Sequence, residues 1–341
     1  MIPPNIEFVN TFAKTILNGA DIMTEKEIAG LLTCSREDFD RQITAKAEGL
    51  RGDTLYAAAM LGYTNHCKNR CLYCGMSALC RVERYRISPE DVKQTVKSAR
   101  SDGFKRLFLI AGEDPMYRFE DLLGITEYAK KEGFHISLAC GELEKGQYAE
   151  LRAAGCDCYV MKFEMSDPET FNRLNPSTDF KKRMANIEAV KQSGMELASG
   201  NIIDYPGSSP LSIARDILLT AELGVSWAPV VPYMPAPSTP LAAEGGPGSI
   251  DTAQREIALL RVMMPEILIT AQQPGSDLRQ GLGGEEGNLG ALRAGANILF
   301  ADYLPAAKAR AFSVINERNI AGIEHIRKMA RLSGMKADLL Y

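Results

Sequence analysis

The feature that most limits how this chain can fold is an alternation of short apolar runs with amphipathic, helix-like segments along most of its length. The segment 179–194, for example, ends at Gly194, where a helix C-terminal glycine is expected. The predicted strands are residues 55–64, 106–110, 134–139, 157–164, 196–203, 227–234, 266–271 and 297–301. Eight strand–helix units match the rhythm of an α/β fold of the (β/α)₈ TIM-barrel type, for which about 250 residues are typical. A doubly wound open sheet would give the same alternation, so the pattern favours the barrel over that alternative.

The rest of the chain is divided around this barrel. The residues before the first strand are charged and helix-like, and Thr24 and Glu27 have the spacing of a capping box at the start of a helix. No low-complexity tract or clear linker interrupts the sequence. We predict an N-terminal helical extension, the barrel, and a C-terminal helical segment that closes the barrel, at residues 1–50, 51–305 and 306–341.

Two stretches rich in Gly and Pro, residues 235–249 and 272–288, each follow a predicted strand. In a (β/α)₈ barrel the loops after the strands meet at the carboxyl-terminal face, where the active sites of such barrels lie. We therefore expect both stretches at the catalytic face, although ordinary surface loops have the same composition.

The net charge of −4 and the first residues of the chain limit the choice of partner and compartment. An acidic chain is poorly suited to nucleic acid or to an anionic membrane surface. The N-terminal stretch lacks a basic region followed by an apolar core, and no run reaches the roughly 18 apolar residues of a membrane span. We therefore expect a cytoplasmic protein, in which eight cysteines indicate metal or redox chemistry rather than disulfides.

Three of these cysteines, Cys67, Cys71 and Cys74, form a C-x₃-C-x₂-C array directly after the first predicted strand. A structural zinc site needs four ligands, and only Cys80 offers a nearby fourth. A [4Fe–4S] cluster held by three thiolates leaves one iron open for chemistry. The spacing therefore favours an iron–sulfur cluster, with a zinc site or a non-catalytic metal-binding scaffold as the alternatives.

With Tyr73 just before its last cysteine, this array resembles the signature of the radical S-adenosylmethionine (SAM) enzymes. The resemblance implies that the three cysteines bind three irons of the cluster, that SAM chelates the fourth, and that Tyr73 lies beside the cofactor. Reductive cleavage of SAM would then give a 5′-deoxyadenosyl radical, which abstracts hydrogen from, or adds to, a small substrate inside the barrel. It also implies a reductant such as flavodoxin or ferredoxin.

The resemblance extends beyond the cysteines to the subgroup that contains biotin synthase, the [FeFe]-hydrogenase maturase HydE and methylornithine synthase. The segments that carry it are "RYRISPEDV" (84–92), "IAGEDPMY" (110–117), "SLACGEL" (137–143), "KFEMSDPETFNRLNPSTDFKKR" (162–183), "PYMPAPSTPL" (232–241) and "RAGANILFADYLP" (293–305).

The positions that match the SAM contacts of this subgroup can be named one by one. Gly112 and Glu113 lie where these enzymes receive the SAM amino group, a contact that backbone carbonyls can make without the Glu113 side chain. Glu164 matches an acidic residue that contacts SAM, and Arg183 an arginine that pairs with the SAM carboxylate through its planar donor fork. Ile202 belongs to the segment that lies against adenine. Without the resemblance, an ordinary salt bridge would be the simpler interpretation of Glu164 and Arg183.

The sequence departs from the subgroup at several positions. Asp204 stands where a glycine is usual, which makes close backbone approach there doubtful. Lys162 replaces the arginine of the maturase, and Gln272, Gln273 and Pro274 replace its Thr-rich segment. Strands two, three and five lack the cysteines, and strand seven the arginine, that hold the second cluster of conventional biotin synthase. These features favour a HydE-like enzyme, with a methylornithine synthase-like mutase or an atypical biotin synthase as alternatives.

Two further sets of residues are less specific. For a substrate pocket we expect residues at strand ends or in the following loops, whose Lys and Arg members favour a carboxylate or another anion, although any of them can be a surface-loop residue: Lys162, Tyr233, Met234, Gln272, Gln273, Asp277, Arg279 and Tyr303. A second iron–sulfur or other metal site is conceivable at Cys80, Cys140, Cys156 and Cys158. Cys156 and Cys158, two apart on a predicted strand, would then face the same side. Buried cysteines that act as small apolar residues explain the same positions.

Overall fold

The computed structural model describes residues 23–309, 311–312, 314 and 321–340. Its strands are β1 Thr54–Thr64, β2 Arg106–Ala111, β3 His135–Ala139, β4 Cys158–Val160, β5 Glu196–Ala198, β6 Ile202–Ile203, β7 Trp227–Ala228, β8 Val231–Pro232, β9 Leu268–Ile269, β10 Ile298–Asp302 and β11 Lys336–Asp338. Its α-helices are α1 Glu25–Thr33, α2 Arg36–Phe39, α3 Ala45–Arg51, α4 Pro89–Ser101, α5 Phe119–Lys131, α6 Lys145–Ala153, α7 Pro168–Leu174, α8 Phe180–Gln192, α9 Pro210–Leu223, α10 Ile250–Met263, α11 Glu285–Arg293, α12 Ala306–Ala309 and α13 Ile323–Ser333.

The strands form a parallel barrel. The main sheet has the order β10-β1-β2-β3-β4-β5-β7-β9, and a backbone bridge between Thr270, after β9, and Ile298, in β10, joins its two ends. Strands β6 and β8 pair with each other beyond β5 and β7. The predicted α/β barrel is therefore confirmed, and the carboxyl ends of its strands meet at one face.

The helices pack around the sheet for reasons visible in the sequence. In α4, Ser88 accepts a hydrogen bond from the backbone N–H of Asp91 and Pro89 occupies the first turn. The apolar residues Val92, Val96 and Ala99 recur at helical spacing and are fully buried. Side chains also cap the beginnings of α8, α9 and α10, through Asp179, Ser209 and Ser249.

Several predicted strands are shorter than expected. The run 196–203 is divided into β5 and β6, and the run 227–234 into β7 and β8. Pro229 lies between β7 and β8 and lacks the N–H group that a strand ladder needs. Irregular backbone therefore begins at the carboxyl ends of these strands, where it lines the cavity described below.

The N-terminal region agrees with the predicted capping box, since Thr24 and Glu27 each accept from the backbone N–H group of the other. Helices α1 to α3 then lead to the barrel, with Ile28 and Phe39 fully buried. Residues 1–22 of the predicted extension lie outside the described residues. The domain boundaries at residues 50 and 305 stay predictions.

The C-terminal segment contains a strand as well as helices. β11 pairs with the first residues of β1, from Thr54 to Tyr56. It lies on the side where β2 pairs with β1 only from Ala58 onward, so it fills an otherwise open sheet edge. Within the part of the chain that the structure describes, no helix combines the length and apolar character needed to cross a membrane.

Candidate functional site

A cavity of about 370 Å³ lies among the carboxyl ends of the barrel strands. We call the wall built from β1 to β6 and their following loops the cysteine side. The wall built from β7 to β10 and their loops is the far side. Most of the predicted site residues line this cavity: Cys67, Cys71, Tyr73, Cys74, Gly112, Glu113, Lys162, Glu164, Arg183, Ile202, Tyr233, Met234 and Gln272.

The loop after β1 brings the three cysteines to the cavity as free, half-buried thiols. Burial, with a smaller effect of Cys67, raises the pKa of the Cys71 thiol to about 12. Burial also raises the pKa of Cys67 and Cys74 above the ordinary value. All three thiols are therefore protonated at neutral pH, and iron binding has to displace their protons.

The three cysteines do not converge on a single point. Among the described residues, no three His, Cys, Asp or Glu side chains lie close enough to share one metal ion. A [4Fe–4S] cluster attaches each thiolate to a different iron, so its ligands need no such convergence. The donor set and its spacing along one loop therefore fit a cluster.

Arg84 fixes the shape of the cysteine loop, a role that the sequence analysis missed. Its Nη1 donates to the carbonyl oxygens of Asn65 and, at 2.8 Å, Met76. Its Nη2 donates to those of Ser77 at 2.8 Å and Cys80 at 3.2 Å. The single guanidinium of Arg84 therefore donates hydrogen bonds to four backbone carbonyls, which come from both ends of the loop. The sequence feature that could have indicated this role is an arginine ten residues after Cys74, at the start of "RYRISPEDV".

Gly112 allows β2 to approach the cysteine loop closely. A Cβ atom at this position would lie 2.3 Å from the carbonyl oxygen of His66 and 2.7 Å from Cβ of Cys67. Both distances are too short for any side chain, so the glycine is required by contact rather than by backbone angle.

The side chain of the neighbouring Glu113 is bound by other residues of the protein. Its Oε1 accepts a hydrogen bond from the backbone N–H of Glu142 at 2.7 Å, and its Oε2 lies 3.3 Å from Nζ of Lys68. The backbone carbonyl of Glu113 also accepts from the N–H of Lys68 at 2.9 Å, and a ligand contact with backbone groups of residues 112 and 113 stays a prediction.

Glu164 is held at the cavity in an unusual conformation. Its φ of 63° lies in the left-handed region, which costs energy for a residue with a side chain. Its backbone N–H donates to the carbonyl of Gly200 at 3.1 Å, and its own carbonyl accepts from Ile202 at 2.8 Å. Its Oε2 lies 3.1 Å from Nζ of Lys162. The two predicted site residues 162 and 164 therefore form an ion pair.

Arg183 reaches the cavity from α8 and is paired with a carboxylate that the sequence analysis missed. Its Nε donates to Oε1 of Glu142 at 3.0 Å, and its guanidinium carbon lies 5.2 Å from the centre of the Phe171 ring. Glu142 also contacts Lys182, at 3.2 Å. Glu142 lies in the segment "SLACGEL", whose resemblance to the subgroup was the sequence feature that could have indicated a role for this residue.

A buried acidic network lies behind Glu164 and Ile202. Asp216, on α9, accepts from the backbone N–H of Ser166 at 2.7 Å and from the side-chain amide of Asn201 at 3.3 Å. Ser166 follows Glu164 by two residues, and Asn201 directly precedes Ile202. Asp216 therefore ties together the two segments that carry these cavity residues.

Burial sets the protonation of this network. It raises the pKa of Asp216 to about 7, despite the hydrogen bonds from Ser166 and Asn201 that lower it. Burial, and secondly the charge of Asp216, raises the pKa of Glu256 well above its ordinary value. Asn201 donates to both carboxyl groups, at 3.3 Å each.

Asp204 adopts the conformation that explains why glycine is usual there. Its φ is 53°, in the left-handed region, which Asp tolerates better than most residues. Its Oδ2 accepts from the backbone N–H of Ser249 at 2.8 Å, so its side chain serves the following loop.

Aromatic and neutral polar residues form the inner end of the cavity and the far side. The ring of Trp227 lies 5.1 Å from that of Phe108 and 5.3 Å from that of Phe300. The indole N–H of Trp227 donates to Oγ1 of Thr270 at 2.9 Å. The side-chain amide of Gln272 donates to the carbonyl of Phe300 at 2.8 Å. Inward-facing positions such as 227 and 270 follow from strand alternation, but the broken strands hid that pattern.

Four predicted substrate residues do not line this cavity. Gln273 is buried behind the far side, where its amide donates to the carbonyl of Val230 at 2.7 Å. Asp277 and Arg279 pair with each other at 2.8 Å in an exposed turn. Because a 3₁₀ helix begins at Leu278, this turn leads the chain away from the strand end.

Tyr303 is the fourth of these residues. Its hydroxyl donates to Asp102 at 2.5 Å, and its ring packs 5.8 Å from that of Phe104 on the outside of the barrel. It follows the last residue of β10 by one position, and strand alternation turns it outward.

The remaining cysteines are dispersed. Cys156 belongs to the large core shared with the helices, whereas Cys158 packs with Trp227 and Phe300 inside the barrel. The prediction that both face one side is wrong, because Cys156 precedes β4 and alternation does not apply to it. Sγ of Cys140 lies 3.1 Å from the Tyr159 hydroxyl. A second metal site at these cysteines stays a prediction.

Comparisons with known proteins agree with this geometry. Residues 61–217 match the Radical SAM superfamily. The [FeFe] hydrogenase maturase subunit HydE of Thermotoga maritima is 27% identical over 324 residues, which are 92% of this chain and 91% of the relative. The 3-methylornithine synthase of Methanosarcina acetivorans is 25% identical over 300 residues, covering 86% and 83%. A biotin synthase of Desulforudis audaxviator is 30% identical over 209 residues, covering 60% and 63%.

The fold is also shared with a solved structure. The crystal structure of methylornithine synthase (PylB) superimposes with a TM-score of 0.81 over 97% of this chain and 98% of that one, at 23% identity. Enzymes of this superfamily use a [4Fe–4S] cluster and SAM, act on small molecules and need a reductant. The cysteine array, the barrel and the sequence relationships agree: this chain contains a radical SAM domain over residues 61–217 and is an enzyme related to HydE, 3-methylornithine synthase and biotin synthase.

Proposed function

We propose that Cys67, Cys71 and Cys74 hold the [4Fe–4S] cluster and that SAM lies along the cysteine side of the cavity. One observation carries this proposal. The three thiols and the residues expected to contact SAM line the same cavity, although they come from widely separated parts of the sequence.

In this arrangement SAM has a partner for each of its groups. Backbone groups at Gly112 and Glu113 receive the amino group, and Arg183 pairs with the carboxylate. Glu164 accepts from the amine or ribose, and Ile202 lies against adenine. Tyr73, whose hydroxyl donates to Asn175 at 2.7 Å, is held beside the cluster.

A reduced cluster held by Cys67, Cys71 and Cys74 would supply the electron for the cleavage of SAM. The residues of the chain orient the reactants and exclude water. Phe108, Trp227 and Phe300 close the inner end of the cavity with mutually packed rings. Such a dry wall protects a radical from side reactions with solvent. Lys162, Tyr233, Met234 and Gln272 are the residues that we assign to the substrate.

We further propose HydE-like chemistry in preference to that of the other relatives. The similarity to the maturase covers nearly the whole of both chains. The 3-methylornithine synthase of Methanosarcina acetivorans is less similar, at 25% identity over 86% of this chain.

The electron source is proposed to be a small redox protein such as flavodoxin or ferredoxin, in the cytoplasm. Lys68 and Arg70, between the first two cysteines, are exposed. A cluster held by this loop would therefore lie close to the surface, within reach of a docked electron donor.

The proposal is tested by cluster content and spectroscopy. The anaerobic protein, reconstituted with iron and sulfide, should bind about four irons per chain, as a [4Fe–4S] centre requires. After reduction with dithionite, addition of SAM should change the EPR spectrum, because SAM binds the open iron. An Arg183→Lys variant should need more SAM for the same change. A protein that binds zinc alone, or a cluster whose spectrum is insensitive to SAM, would refute these assignments.

A further inference from the structure

We propose that the outer face of the cysteine loop is the docking surface for a small, acidic redox protein that delivers the electron to the cluster. We call this face the basic patch and define it by Lys68, Arg70, Leu79, Arg81 and Met116. The inference rests on the proposed function, since a donor docked here is useful only where the loop holds a cluster. It goes beyond that function by naming the residues that meet the donor and the charge that the donor carries.

The charge of the cysteine loop is opposite to that of the whole chain. Residues 65–86 contain five Lys or Arg residues and one acidic residue, Glu83, so this segment has a net charge of +4. The complete chain has a net charge of −4. Positive charge is therefore concentrated on the segment that carries the three cysteines, and such a local excess attracts a negatively charged partner.

Part of this positive charge is available to a partner. Lys68, Arg70 and Arg81 are exposed. Lys68 lies 3.3 Å from Glu113, whereas neither Arg70 nor Arg81 forms an ion pair with an acidic residue that the structure describes. Two arginines of the patch therefore keep an uncompensated charge in contact with solvent.

The basic patch and the thiols belong to opposite faces of one loop. Cys67 and Cys71 line the cavity, and the exposed Lys68 and Arg70 stand between them in the chain. The backbone N–H of Ala78 donates to the carbonyl of Asn69 at 2.7 Å, so the exposed stretches 68–70 and 78–81 lie side by side. A protein docked on the patch would be separated from the cluster by the thickness of this loop alone. Because electron transfer slows steeply with distance, this is the face from which reduction is fastest.

Two apolar residues add contact area to the basic patch. Met116 is 72% exposed and Leu79 is 37% exposed. The backbone N–H of Met116 donates to Asp114 at 3.0 Å, and Asp114 also pairs with Arg86 at the end of the cysteine loop. Met and Arg are enriched in protein–protein interfaces. Nucleic acid, by contrast, requires many phosphate contacts, so the patch favours a protein partner.

The test measures docking separately from catalysis. Flavodoxin, a small acidic flavoprotein, is the probe, and its dissociation constant from the reconstituted protein is measured anaerobically by isothermal titration calorimetry. The wild-type protein should bind it at low ionic strength and about tenfold more weakly at high ionic strength, because salt screens exposed charges. The double variant Arg70→Glu, Arg81→Glu should raise the dissociation constant about tenfold at low ionic strength and remove most of the salt dependence.

Arg331→Glu is the matched control. Arg331 is an exposed arginine in the last turn of α13, shortly before β11, which pairs with the first residues of β1. It therefore lies towards the opposite end of the barrel from the cysteine loop. Its reversal should change the dissociation constant by less than about twofold.

Production of 5′-deoxyadenosine with excess dithionite separates this inference from the proposed function. All three variants should keep this activity, because dithionite needs no docking surface. A wild-type protein that cleaves SAM with dithionite but does not bind flavodoxin, or binds it equally at low and high ionic strength, overturns the docking surface alone. Equal weakening by Arg331→Glu and by the double variant also overturns it.

A single variant keeps the test decisive if the double variant fails to fold. Arg81→Glu alone should raise the dissociation constant about threefold at low ionic strength. An unchanged dissociation constant in this variant would remove Arg81 from the docking surface.

Discussion

The two walls of the cavity are built differently. On the cysteine side, charged groups are numerous, and each is fixed by a partner, as in the Arg183–Glu142 and Lys162–Glu164 pairs. On the far side, the strands are short and broken, and the described lining residues carry no charge. A wall that must hold a highly charged cofactor in one geometry needs fixed charges. The far side, which we propose to receive the substrate, is uncharged and largely apolar.

The largest effect should come from Arg84, which tests whether the cysteine side depends on a fixed loop. Arg84→Ala leaves four carbonyls without their cationic donor. Loss of such bonds costs about 3 kcal/mol, or roughly a hundredfold in cluster affinity. Iron and sulfide content after reconstitution and desalting measures this. Arg81→Ala, an exposed arginine of the same loop, should keep its cluster. Equal iron content in the two variants would contradict the role of Arg84.

Gly112 gives the next largest effect, on the same loop. Gly112→Ala places a Cβ atom against the backbone of His66, so the loop must shift at a cost of about 2 kcal/mol. Cluster retention and thermal stability should both fall. Gly124→Ala, inside α5 and with no atom within 4 Å of the new Cβ, should instead stabilise the protein by about 0.5–1 kcal/mol. Equal cluster retention and thermal stability of the two variants would show that the close contact between Gly112 and the backbone of His66 is not required.

The third prediction concerns Arg183 and the affinity of the cysteine side for SAM. Arg183→Lys keeps the charge but loses the planar donor fork, so SAM affinity should fall about tenfold. Lys182→Ala is the control, because Lys182 contacts the same Glu142 from the exposed face of α8. Equilibrium dialysis with labelled SAM measures both. A stronger effect of the Lys182 change than of the Arg183 change would remove Arg183 from the SAM site.

The smallest effect concerns Asp216, behind the cysteine side. Because its pKa is about 7 in the folded protein and about 4 in an unfolded chain, the folded state binds its proton more tightly. This group's contribution to the free energy of unfolding should therefore fall as pH rises from about 4 to about 7, and then level off. In Asp216→Asn, urea denaturation across this range should show a weaker fall. Parallel curves for wild type and variant would contradict the raised pKa.

The sequence predicted the cysteine side better than the far side, for a physical reason. Cysteine spacing and an aromatic neighbour are local features, so Cys67, Cys71, Cys74 and Tyr73 could be placed at one site without knowing the fold. The eight strand positions were also found, because buried parallel strands are continuous apolar runs.

The far side depends on where short strands end, which apolar periodicity does not specify. A 3₁₀ turn moved Asp277 and Arg279 away from the cavity, and alternation turned Tyr303 outward. The partners Arg84, Glu142 and Asp216 were missed because their roles arise from contacts between distant segments.

The central claim is that the three cysteines serve SAM cleavage at this cavity. The measurement is the yield of 5′-deoxyadenosine, by mass spectrometry, from the reconstituted protein with dithionite and SAM. Wild type and Cys34→Ser, which alters a cysteine in the N-terminal region, should both produce it, and Cys71→Ser should not. Production by Cys71→Ser at the wild-type level, or none by a wild-type protein with a full cluster, would contradict the claim.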